Sequence, residues 1–173
     1  MGPDRIFDLS TNPNLLEFLN VDVVMVGLNF SRNFVSPKPF ANFHDKSQYA
    51  NDFKIRYAFR DTPYYGAYMT DVLKNLVIPD AQKVRDYLMK HPDISKIHVH
   101  AFERELDLIE SEKPLILAFG RDAFMILNKY LSKDRYSLLI QITHYSHQNR
   151  KEKYRQEILE RIDSALSRNR IAE

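Results

Sequence analysis

The chain has 173 residues, a formal charge of +2, 44% hydrophobic residues and no cysteine, which is the size and make-up of one α/β-sized domain with a real core. That composition excludes disulfides, thiolate-held zinc and cysteine-ligated iron–sulfur clusters, and no apolar run approaches the ~20 residues of a membrane helix. A single domain over residues 1–173 is expected, in a reducing cytoplasm and without a membrane partner or signal peptide.

Taken in chain order, Asn12 and Pro13 read as a helix start leading into LLEFL. Residues 21–28 are an apolar run rich in β-branched valines, which suits a strand buried on both faces of a parallel sheet. Residues 29–64 read as a long loop with one short helix, and loops of that length inside a domain are usually functional. Residues 66–73 (GAYMTDVL) read as a strand ahead of helix. Helices are expected over 80–90 and 95–111, the second with Phe102, Leu106 and Ile109 at helical spacing. Pro114 opens a strand, PLILAFG, followed by a helix from Asp122 to Leu131 and a strand, SLLIQIT, over 137–143. Residues 150–168 close the chain as a helix with Tyr154, Ile158, Ile162 and Ala165 on one face. Strands alternating with helices predict a three-layer α/β/α sandwich around a mainly parallel sheet of four strands.

Two strand ends depart from ordinary turn chemistry. The first run ends in Gly27, Leu28, Asn29, Phe30 and Ser31, and the last ends in His144, Tyr145, Ser146 and His147. In an open parallel sheet both fall at the carboxyl edge, where ligands bind. Glycine allows close backbone approach, and the Asn29 amide orients a water without being able to deprotonate it fully. His144 can donate a hydrogen bond to developing negative charge, and Ser146 with nearby amides can hold a phosphate.

In type, order and spacing these motifs resemble the uracil-DNA glycosylase superfamily, over roughly residues 20–165. That family carries a Gly-x-Asp/Asn-Pro motif after its first strand and a His-Pro-Ser or Asn-Pro-Ser motif after its last. Asn29 matches the mismatch-specific branch. The resemblance implies a metal-free, cofactor-free DNA glycosylase in which Asn29 and His144 are catalytic. Gly27, Leu28, Phe30, Ser31, Ser146 and His147 would line the substrate, Phe40 or Phe43 would stack on a flipped base, and Asp71 would read its edge. DNA is the implied partner, with Arg150, Lys151 and Lys153, extended by Arg32 and Lys38, on its phosphates.

The departures from the pattern are Phe30 and Tyr145 in place of prolines, Gln148 in place of a wedge leucine, and Asp71 in place of an amide. A carboxylate accepts hydrogen bonds but donates none, so Asp71 favours a base edge rich in N–H groups over uracil. Simpler readings stand beside these. Phe40 and Phe43 can plug the core, Asp71 can cap a helix or turn before VLKN, and His98, His100, His144 and His147 read as solvated residues ahead of metal ligands. The alternative for the whole chain is a non-catalytic nucleotide-, nucleic-acid- or protein-binding module on the same fold.

Overall fold

The computed structural model describes residues 13–30, 43 and 50–172. Pro13–Phe18 form a 3-10 helix, the tighter form that suits a segment too short to propagate an α-helix. The strands are β1 (Asn20–Asn29), β2 (Ala67–Leu73), β3 (Leu115–Phe119) and β4 (Leu138–Ile142). The helices are α1 (Phe53–Phe59), α2 (Ala81–Lys90), α3 (Pro92–Leu108), α4 (Arg121–Tyr130) and α5 (Lys151–Ala172).

Local chemistry accounts for these boundaries. Asp80 caps α2 by accepting the backbone N–H groups of Gln82 and Lys83. His91 sits before Pro92 in a non-helical conformation, which breaks α2 from α3 and starts α3 three residues earlier than its apolar spacing suggests. Asp71 lies inside β2, and the next helix is the one Asp80 caps, so Asp71 is not a helix cap.

The four strands form one all-parallel sheet in the order β2-β1-β3-β4. Alternation along β1 divides the core into two. Val24 and Val26 face a layer that includes Val84, Phe102 and Leu127 from α2, α3 and α4. Val23 and Met25 face Ile55 and Phe59 of α1 and Tyr154, Ile158 and Ile162 of α5. The architecture is therefore a three-layer α/β/α sandwich, with every residue of β3 buried at its centre.

Strand order reverses between β1 and β3. From β1 the chain runs outward to β2, and from β3 it runs the opposite way to β4. At the carboxyl edge of such a switch point the two connections diverge to opposite faces, which is where open α/β sheets bind their ligands. Asn29 ends β1 on one side of β3, and His144 follows β4 on the other, the two strands lying about 10 Å apart by strand spacing.

Candidate active site

The β1 side of this edge is built around a glycine. Gly27 pairs in register with Asp71 of β2. A Cβ on Gly27 would stand 2.3 Å from Asp71 Oδ1 and 3.3 Å from Cε1 and Cζ of Phe43. Only glycine leaves room for that carboxylate to lie across the strand beneath an aromatic ring. Phe43 itself is 5% exposed and adopts a left-handed backbone, φ 65°. Two residues on, Asn29 turns its amide nitrogen onto the carbonyls of Ile78 at 2.8 Å, Leu76 at 3.0 Å and Phe30 at 3.2 Å. Three acceptors fix the amide, so its carbonyl oxygen faces away from the β2–α2 turn.

The β4 side is built around a second glycine. Gly120 ends β3 at φ 84°, a conformation that favours glycine, and donates its N–H to Ile142 O at 2.8 Å. A Cβ there would meet His144 in ordinary contact, at 3.7 Å from its Cβ and 3.9 Å from its Cδ2. His144 stacks on Tyr145, centroids 4.3 Å apart at 24°, and meets the Phe119 ring edge-on at 6.3 Å. Phe119 and Tyr145 in turn contact Phe43 at 6.5 and 6.3 Å. One aromatic cluster thus joins the two strand ends.

The protonation of His144 follows from its neighbours. Ser146 N–H donates to His144 Nδ1 at 3.2 Å, and Ser146 Oγ lies 2.8 Å from the same nitrogen. A nitrogen that accepts a backbone N–H carries no proton, so the proton of the neutral ring sits on Nε2. Burial pushes the imidazole below its ordinary pKa, against an opposing pull from the Asp52 carboxylate. His144 is therefore a neutral hydrogen-bond donor.

The loop that carries it is braced from two helices. His147 N–H closes a turn onto His144 O at 2.9 Å. Lys54 of α1 donates its ammonium to His147 O at 2.8 Å. From α5, Tyr154 OH donates to Thr143 O at 3.0 Å, and Glu157 accepts from Thr143 Oγ1 and from Asn149 Nδ2. Arg155 Nη1 donates to the carbonyls of Tyr57, Ala58 and Arg60, which fastens the end of α1 to α5. On the other face of β2, Tyr68, Thr70 and Lys74 converge on Glu105 and hold the strand to α3. Burial lowers the Lys74 pKa, and the charges of Glu105 and Asp71 oppose that shift.

Of the residues singled out in the sequence, Gly27, Phe43 and Asp71 meet at the end of β1, His144 and Ser146 meet after β4, and Phe43 bridges the two through Phe119 and Tyr145. Leu28 packs into the core of the opposite layer, beside α2 to α4. Phe30 offers its backbone carbonyl to Asn29. His147 and Gln148 are exposed, as are Arg150, Lys151 and Lys153, with Lys151 lying 4.8 Å over the Tyr57 ring. Ser31, Phe40, Arg32 and Lys38 lie outside the described residues. His98 accepts Lys74 N–H at 3.1 Å and His100 meets Glu103 at 3.0 Å. Among the described residues no group of three or more His, Asp or Glu is placed to hold a metal ion, and no helix is long and apolar enough to cross a membrane.

Sequence reasoning missed Asp52, Lys54, Phe119, Gly120 and Glu157. The glycine closing PLILAFG was a usable signal for Gly120 and its neighbour. Nothing local marks Asp52 or Lys54, since charged residues beside a polar loop ordinarily face water. No family model, curated protein or solved structure matches the chain.

Proposed function

We propose that this chain is a divergent relative of the uracil-DNA glycosylases that hydrolyses the N-glycosidic bond of a flipped base in DNA. The observation that carries the reading is His144, a neutral imidazole with Nδ1 engaged as an acceptor and Nε2–H as its donor, at the carboxyl edge beside the switch point. A departing base takes the electron pair of the broken C1′–N bond and needs a donor in place before the charge develops. His144 is that donor. Asn29, held by its amide nitrogen, offers its carbonyl oxygen to align a water for C1′. The water oxygen bonds to C1′, its proton passes to solvent, and the base anion is reprotonated there. Flipping is required because the bond is hidden within the stack.

Asp71, against Gly27 and beside Phe43, suits a base edge with N–H donors. Exposed Arg150, Lys151 and Lys153 at the start of α5 suit phosphates next to that edge. One observation favours the second reading, a non-catalytic binder: Phe43 is packed against Phe119 and Tyr145, so stacking on a base requires that ring to be uncovered.

The test is release of uracil, hypoxanthine, xanthine and mismatched bases from single- and double-stranded oligonucleotides. Release by the wild-type chain and its loss in His144→Ala supports the reaction. Binding without release of any base assigns the chain to the second reading.

A further inference from the structure

The first turn of α1 holds two charged side chains out of water. Asp52 is 6% exposed and Lys54 is 5% exposed. Burying an ammonium costs several kcal/mol unless its partners compensate, and an apolar side chain of similar length serves a core better. Departures of that kind concentrate at functional sites. The Lys54 ammonium does not serve its own helix. It crosses to the loop after β4 and donates to His147 O at 2.8 Å. Asp52, although at the capping position of α1, makes no side-chain bond to the helix N-terminus.

The carbonyl that Lys54 grips belongs to the turn that orients His144. His147 N–H bonds back to His144 O at 2.9 Å, and the same turn aims Ser146 N–H at His144 Nδ1 at 3.2 Å. If the turn opens, Nδ1 loses its backbone donor and nothing holds the proton on Nε2. The α5 contacts reach Thr143 and Asn149, at the two ends of the loop. Lys54 grips its middle.

We propose that Lys54 is the positioning residue of this site, holding the His144–His147 turn closed so that the imidazole presents Nε2–H at the carboxyl edge. The inference rests on the proposed reaction for its purpose, but its geometry can be tested without a substrate. Asp52 supplies a buried negative charge within electrostatic reach of the same imidazole. A fold needs neither charge in a core, whereas a neutral, oriented histidine needs its loop fixed.

The experiment compares wild type with Lys54→Met and Lys54→Arg by amide hydrogen exchange, and by base release if the wild type shows any. Lys54→Met keeps the length and removes the charge, and its unfolding transition is measured beside that of the wild type. Exchange at Ser146 and His147 is expected to rise about tenfold while the α5 core amides stay unchanged. Any base release falls about ten- to a hundredfold in kcat with KM unmoved, as misplacement of a catalytic group does. Lys54→Arg restores most of both. Should Lys54→Met fail to fold, Asp52→Asn/Lys54→Met removes both buried charges and takes its place. Wild-type exchange at Ser146 and His147 in a folded variant overturns the inference, whether or not any base is released. A loosened turn in a chain whose wild type releases no base upholds the positioning role and contradicts only the reaction.

Discussion

The residues that end β1 and follow β4 are held in opposite senses. At the end of β1, Asn29 commits its donor to backbone carbonyls and turns its acceptor away from them. Beyond β4, His144 commits its acceptor to Ser146 and keeps its donor. The anchors also differ in reach. Asn29 ties to a turn 47 and 49 residues away, whereas His144 is set by a residue two positions on. The proposed hydrolysis needs an acceptor on the water side and a donor on the leaving-group side, and the two residues differ in that same sense.

The largest effect expected is on the donor. His144→Ala is expected to lower base release by roughly 10²–10³. Stability falls less than for a core aromatic, because the ring is only half-buried, although it packs on Phe119 and Tyr145. A release rate within a few fold of wild type would break the comparison at its β4 end. The acceptor side is sharpened by Asn29→Asp, which keeps the shape and removes the N–H groups. A carboxylate facing the Leu76 and Ile78 carbonyls is expected to lower stability by about 2–3 kcal/mol in urea unfolding. A variant as stable as wild type would show that the amide does not hold the turn.

Gly27→Ala comes next. Its Cβ meets Asp71 Oδ1 at 2.3 Å and the Phe43 ring at 3.3 Å, so a loss of about 2 kcal/mol is expected from overpacking. The double variant Gly27→Ala/Asp71→Gly removes the closest clash and is expected to recover part of it. The smallest effect is one of preference. Asp71→Asn restores a donor and is expected to improve uracil binding or excision about tenfold, or ~1.4 kcal/mol. Unchanged preference, with His144 shown to matter, would place base reading elsewhere.

Sheet and layers were legible because the β-branched run at Val23–Val26 and the apolar run at Leu115–Phe119 have no other good home than a strand covered on both faces. The carboxyl-edge rule then put Asn29 and His144 on one side of the molecule. What each side chain does there was not legible. The partners of Asn29 lie on the β2–α2 turn, and no local pattern reports a contact across that separation. Lys54 was hidden for the same reason: its ammonium reaches a carbonyl of the loop after β4, far along the chain. The close approach implied by Gly27 was readable as a need, but only β1–β2 register identifies Asp71 as what approaches.

The most direct test of the account is ring ¹⁵N NMR of His144, assigned by the signals lost in His144→Gln. A neutral imidazole is expected at neutral pH, with its proton on Nε2 and Nδ1 in the acceptor state. Its titration falls below the ordinary histidine range because burial disfavours the cation. A proton on Nδ1, or an imidazolium at neutral pH, would contradict it.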